Sequence, residues 1–210
     1  MAGDGGFVLE TARTTIRPWR TSEADLLLDI RRRPEVARWL GSPVPWTDRD
    51  EAVGHLAQWR EQATPAVPSS CAIVPRDTGV PVGTVTLMRM PTAPGAGEVP
   101  LADAGWLDDF APLGGIDGRP GEIEVGWYLH PDAVGHGWAS EAAAAMLTHG
   151  FAHGASRIWA VMWPDNAPSA AVCRRLGMAE LGVRVDPWYG TADDPDSRVF
   201  LATAPETVIE

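Results

Sequence analysis

The spacing of apolar and polar positions divides the chain into short segments of recognisable period. In "ETARTTIRPWR" the alternation is imperfect, but Ile16 and Trp19 close to Pro18 suit an edge strand, where a missing N–H breaks no ladder. "TSEADLLLDIRRR" predicts a helix with Thr21 or Ser22 as cap, acids in its first turn and arginines in its last. "PEVARWL" predicts a further helical turn or two. "TDRDEAVGHLAQWREQ" predicts a second amphipathic helix capped by Thr47 or Asp48. "SSCAIVPRDTGVPVGTVTLMRM" reads as a hairpin, two β-rich runs around "RDTG", whose glycine suits a positive φ.

Periodicity then fails from Pro91 to Gly121, a stretch rich in Gly, Pro and Asp. A structureless run of that length is uncommon inside a compact domain, so it reads as an insertion between two strands that borders or caps a binding site. Beyond it the pattern returns. "EIEVGWYL" predicts a strand and "GWASEAAAAMLTHGFAHG" a helix of small side chains. "RIWAVMW" predicts a buried strand, and "NAPSAAVCRRLG" a short helix closed by Gly177. "MAELGVRV" and "SRVFLAT" predict closing strands. The expected architecture is α/β (α+β), a central mixed sheet flanked by helices. It is expected as one domain over residues 7–204, with flexible tails at 1–6 and 205–210.

Composition narrows the function. Of 210 residues, 45% are apolar, which is ample for a core, and the net charge is −11. A nucleic-acid partner gripped through its phosphates would want a basic face, so none is expected, while a cationic partner is compatible. Two cysteines, Cys71 and Cys173, make neither a disulfide framework nor a zinc set. No apolar run is long enough for a membrane span and the first ten residues lack a signal-peptide pattern, so a cytoplasmic protein is expected. His149 and His153 are four apart, as two metal ligands on a helix would be. No glutamate follows the first in the metalloprotease pattern, and no metal is expected.

The chemistry gathers at "HPDAVGHGWASEAA". Gly135 and Gly137 stand at the mouth of a helix, whose first N–H groups are unpaired and whose dipole is positive there. Glycines at this point either make a tight turn or leave backbone bare for an anion, most often a phosphate. The lysine of a P-loop is missing, and Ser140 occupies the last glycine position of G-x-G-x-x-G. A strand before the glycines and Asp165 at the end of the next strand leave a partial match to a dinucleotide site.

"AVGHGWASEAA", preceded by "EIEVGWYLHP" and followed by "NAPSAAVCRRLGM", resembles the Gcn5-related N-acetyltransferase (GNAT) superfamily. "RPW" and "PEVARWL" resemble its branch of ribosomal-protein alanine acetyltransferases. The similarity covers most of Thr14 to Thr203 outside the insertion. It implies transfer of acetyl from acetyl-CoA to a primary amine, either a peptide N-terminus or a small molecule, and points to a homodimer. It also implies that Val134, Gly135, His136, Gly137, Trp138, Ala139 and Ser140 cradle the pyrophosphate, with Val134 in place of the usual Arg or Gln. His136 reads as a partial substitute or as a solvated loop histidine. Asn166 and Ser169 are implied cofactor contacts, and Asn166 alone also suits a helix cap.

An alkylammonium with pKa about 10.4 needs a base before it can attack a thioester. Glu122 and Glu124 lie two apart on one strand, hence on one face, opposite Ile123 and Val125. The resemblance implies the catalytic or water-positioning role for Glu124, with Glu122 second. It further implies that the Tyr128 amide faces the thioester oxygen and that Tyr128, Leu129 and His130 pair with pantetheine. Cys173 stands where many relatives carry a tyrosine general acid, so that role has no assignment. Trp106 and Trp188, in loops, are candidate walls of an acceptor pocket. Val134 and Cys173 leave open a non-catalytic acyl-CoA-binding module, and the partial fingerprint a dinucleotide-binding protein.

Overall fold

The computed structural model describes residues 6–40, 44–91, 101–110, 112 and 114–205. In chain order these form β1 (Leu9–Glu10), β2 (Thr14–Pro18), α1 (Ala24–Arg31), α2 (Pro34–Ala37), α3 (Arg49–Gln62), β3 (Ser69–Pro75) and β4 (Gly83–Arg89). Then come β5 (Gly115–Ile116), β6 (Arg119–Pro120), β7 (Ile123–Leu129), α4 (Trp138–Ala152), β8 (Arg157–Met162), α5 (Ala167–Arg175), β9 (Ala179–Val185) and β10 (Asp196–Thr203). They group into two compact units. The first comprises residues up to Met88 with Gly126–Met146, the second Arg89–Val125 with the residues from Leu147 onward. The expected tails fall almost wholly on residues outside the described set.

In the first unit β1, β2, β3 and β4 are neighbours in that order, each antiparallel to the next, and the 126–129 end of β7 follows β4. β3 is buried on both faces, which is why it reads as a continuous run, "SSCAIVP", and not as an alternation. Leu27 and Ile30 of α1, Ala52 and Leu56 of α3, Trp19 and Trp46 form one core cluster with Ala72 and Val74 of β3. The cap of α3 is Asp48: its carboxylate accepts from the amides of Asp50 (2.8 Å) and Glu51 (3.1 Å), and Glu51 reaches back to the Asp48 amide. The expected hairpin turn is present, with Gly79 at φ +67°.

Two expectations change here. The first strand is two strands, because Thr11 turns the chain by bonding to the carbonyl of Thr14 (2.8 Å). Neither Thr21 nor Ser22 caps α1. Residues Thr21–Glu23 form a 3₁₀ turn, fastened by Glu23, which accepts from the Arg20 amide (2.9 Å) and pairs with Arg17 (2.6 Å).

In the second unit the 123–125 end of β7 runs parallel to β8, paired at Glu124 and Trp159, and β10 lies antiparallel between β8 and β9. α5 begins at an Asn166 cap and ends before Gly177 at φ +75°. Each unit is thus a mixed α/β layer, the fold class read from the sequence.

The 91–121 stretch is less irregular than its composition suggests. Its residues 92–100, 111 and 113 lie outside the described set. Leu101–Phe110 coils as 3₁₀ turns and β5 and β6 form a small hairpin. Trp106, Leu107 and Phe110 pack on Met90, Trp159, Trp188, Val199 and Leu201. Trp106 also donates to the Val185 carbonyl (2.9 Å), and its ring meets those of Trp159 and Trp188 edge-on at 5.9 and 6.1 Å. Trp188 is therefore buried, and Trp106 packs half-buried against the same cluster, as the large apolar area of an indole favours. No helix among the described residues is long and apolar enough to cross a membrane. Replacing the α3 cap, Asp48→Ala, should cost about 1 kcal/mol in urea unfolding without changing the m-value.

Candidate active site

The glycine loop belongs to the first unit. β7 ends at Leu129, a 3₁₀ turn covers Pro131–Ala133, and α4 starts at Trp138. Gly135 and Gly137 take φ +91° and +79°, conformations that strain any L side chain. A Cβ on Gly135 would meet nothing within 4 Å, whereas one on Gly137 would lie 3.2 Å from the Arg13 guanidinium. The positive-φ turn that the glycines allow is therefore present at the mouth of α4. Val134 is 63% exposed, and the His136 ring stacks on Trp138 at 4.4 Å and 11°.

Arg13, from the turn between β1 and β2, holds this loop. Its guanidinium donates to the His136 carbonyl (2.9 Å) and to Glu141 in the first turn of α4 (2.7 Å). Glu141 also accepts from the Thr11 hydroxyl (2.6 Å) and the Arg13 amide (2.7 Å). Burial acts to raise the Glu141 carboxyl, and these hydrogen bonds overcome it and hold the group below its ordinary range. Glu141 would otherwise set a negative charge beside an anion cradle. A cavity of about 360 Å³ opens beside the loop, lined by Leu26, Ile30, Val82, His130, His136 and Trp138. His130 stands 3.3 Å from Asp29 there and accepts from the Asp132 amide (3.2 Å).

At the end of β7 the backbone is tightly approached. The His130 amide donates to the Val82 carbonyl (2.8 Å), and a Cβ on Gly83 would collide with the Tyr128 carbonyl and with Leu129. The Tyr128 ring packs on the core cluster, 5.5 Å from the Arg31 guanidinium, and burial pushes its hydroxyl up. Its side chain is thus committed to packing.

The two glutamates lie in the second unit and part company. Glu122 does not face away from the core, as the strand pattern suggested: it is 6% exposed. Arg157 grips it with two nitrogens, the Trp159 indole donates at 2.6 Å and the Gly114 amide at 2.8 Å. Burial acts to raise its carboxyl and the donors hold it low, so it stays ionised. Glu124 is half-buried, and one oxygen accepts from the Tyr189 hydroxyl (2.5 Å). Burial pushes its carboxyl up to about 7, with the Tyr189 bond opposing and the Asp186 charge adding to the rise. Asp186 is fully buried. Its Oδ1 accepts from the amides of Trp188 (2.8 Å) and Tyr189 (3.1 Å), and its Oδ2 has no partner.

Asn166 is 4% exposed and caps α5 by accepting from the Ser169 amide (3.2 Å). Cys173 is fully buried, and burial pushes its thiol up to about 12, which leaves a small neutral hydrophobe. The rings of His149 and His153 lie 4.1 Å apart, with His153 Nδ1 2.9 Å from the His149 carbonyl. Arg13, Glu141, Asp186 and Tyr189 had no site role from sequence. The run "VDPWYG" does carry a signal, since aspartate before proline and an aromatic pair is turn chemistry.

The chain belongs to the acetyltransferase (GNAT) domain family, whose model matches residues 13–179. An N-acetyltransferase of Bacillus licheniformis, p20, is 24% identical over 179 residues, 85% of either chain. The fold is shared with the acetyltransferase of Salmonella typhimurium that modifies the N-terminal serine of ribosomal protein L7/L12: TM-score 0.66, 15% identity, 95% of this chain and 100% of that one. It is shared too with the microcin C7 self-immunity acetyltransferase MccE, solved with acetyl-CoA and AMP: TM-score 0.64, 15% identity, 92% and 93% covered. At such identities the structural likeness concerns fold alone.

The glutamates should differ in unfolding experiments. Glu122→Ala leaves a buried guanidinium unpaired and should cost about 3–5 kcal/mol. Glu124 has a folded-state pKa raised from 4.5 to about 7, so its stabilising contribution is complete below 4.5 and is lost as pH rises through about 7. Glu124→Gln should therefore melt higher than the parent chain at about pH 8 and no higher at about pH 4.

Proposed function

We propose that this chain transfers acetyl from acetyl-CoA to a primary amine by direct attack, with Glu124 as the base. The observation that carries the reading is a half-buried carboxylate raised to about 7 in a chain of an acetyltransferase family. A base of that strength is partly ionised at neutral pH and still holds a proton well enough to take one from the amine as it attacks. The amine nitrogen bonds to the thioester carbon and its proton passes to Glu124, directly or through water. The carbon–sulfur bond then breaks and the thiolate leaves, to be protonated by solvent. Cys173, neutral and buried, is not an acid for this step, and Tyr189, bonded to Glu124, is not assigned to it.

In this reading the amides of Gly135 to Ser140 hold the pyrophosphate, with Val134 contributing backbone only. The Tyr128 amide faces the developing oxyanion, where one donor is worth roughly 3 kcal/mol. Tyr128, Leu129 and His130 pair with pantetheine, and Asn166 and Ser169 contact it from α5. Glu122 passes from second candidate base to a support for β7. The open space before Gly135 suits a phosphate, and acetyl-CoA is present in a solved structure of the same fold. A peptide N-terminus is the favoured acceptor, supported by the name of the Salmonella neighbour. The reading also takes residues 7–204 as one domain, supported by a family match that runs through both units. It carries a homodimer, which light scattering measures, and a cytoplasmic location.

Thermal unfolding with acetyl-CoA, CoA and NAD in parallel is the test of binding. A ligand at a hundred times its dissociation constant adds about 2.7 kcal/mol, which is roughly 5–10 °C in a domain of this size. The expected result is a shift with acetyl-CoA and CoA and none with NAD. A shift with NAD alone points to dinucleotide binding instead. For catalysis, Glu124→Gln should lower kcat about 10²–10⁴-fold with little change in acetyl-CoA affinity, and full turnover in this variant would refute the base.

A further inference from the structure

The segment between β9 and β10 presents the group the reaction needs. Its turn is built on Asp186, which uses three of its atoms to shape it. Its amide donates to the Pro195 carbonyl (2.8 Å), its carbonyl accepts from the Gly190 amide (3.1 Å), and Oδ1 accepts from the amides of Trp188 and Tyr189. Trp188, 5% exposed, anchors the turn in the aromatic cluster. What the turn displays is Tyr189, whose ring is 42% exposed while its hydroxyl meets Glu124. The remaining Asp186 atom, Oδ2, is buried and unpartnered, an arrangement that costs free energy and serves no purpose in the turn. An asparagine would shape the same turn through its oxygen without burying a charge.

We propose that Asp186 and Tyr189 are the positioning pair of the base: Asp186 holds the turn that presents Tyr189, and the Tyr189 hydroxyl fixes the direction of the Glu124 carboxylate. The two act in contrary senses on one group. The Tyr189 hydroxyl donates only to the carboxylate's oxygen and so favours the ionised form. A second carboxylate nearby favours the protonated form. Among the described residues Glu124 also meets the Val161 backbone of β8, and Glu122, just before β7, is paired with Arg157. The balance between Asp186 and Tyr189, superimposed on burial, thus sets the pH at which the base becomes free.

This inference rests on the reading of Glu124 as the base, and pH profiles of kcat/KM separate the two. In the parent chain the acid limb should fall near 7, the value of Glu124. In Asp186→Asn, which keeps the turn oxygen and removes the charge, the limb should move down by roughly one unit. At about one unit below the parent's midpoint, that variant should be several-fold faster relative to its own plateau. In Tyr189→Phe the limb should move up. Opposite displacements are the signature, because loss of turn structure alone lowers the plateau and leaves the limb in place. Limbs that stay put, or move the same way, overturn the pairing. If Glu124→Gln keeps both full rate and the acid limb, the base reading itself falls. Should Asp186→Asn fail to fold, Asp186→Ser offers a turn oxygen without charge, and Tyr189→Phe removes a single hydroxyl. Either variant alone, with its limb unmoved in a folded protein, also overturns the proposal.

Discussion

A carboxylate buried in protein must find donors or hold a proton, and this constraint governs β7. Glu122, just before the strand, and Glu124, within it, share a parity, yet the first sits among a guanidinium, an indole and a backbone amide and stays ionised. The second meets a phenol and a neighbouring negative charge and binds its proton far more tightly. The difference comes from what faces each side chain. Arg157 and Trp159 alternate on β8 with residues of the opposite face, so their donors fall together on Glu122. Two identical residues thereby end in opposite protonation preferences.

The first unit solves a related problem at the mouth of α4. A helix start favours anions, and an acid in its first turn is ordinary, but that acid competes with any anion brought there. Glu141 is removed from the competition by four donors from Thr11 and Arg13. The same Arg13 ties down the His136 carbonyl. The loop that must stay bare is therefore held from behind, by the turn between β1 and β2, so two glycines can be rigid without side chains of their own.

Much of this was legible in the sequence where the signal was local. The capping box of α3, the hairpin turn at Gly79, the doubly buried β3 and the closing Gly177 follow from residues within a few positions of one another. The positive-φ turn was legible too, since Gly135 and Gly137 stand beside the helix they open. The exceptions share a cause. Trp106, Leu107 and Phe110 sit in a run without period, and only distant aromatic partners give them a core. Glu122 meets its arginine 35 positions away, and Arg13 its glutamate 128 positions away. No windowed pattern carries such pairings, and a strand's alternation assigns a face without saying what covers it. Asp186 and Tyr189 fall between these cases: their turn was readable, their target was not.

The order of strands in the second unit has a bearing on how the chain assembles. β10 follows β9 in synthesis but lies between β9 and β8. The strand partner of β9 among the described strands, β10, is made after β9 itself, while Trp106, made earlier, reaches the Val185 carbonyl at the end of β9. The turn that carries Tyr189 is closed by a bond from Asp186 to Pro195, at the threshold of that late strand. A chain ending before Pro195 would lack the acceptor that closes this turn.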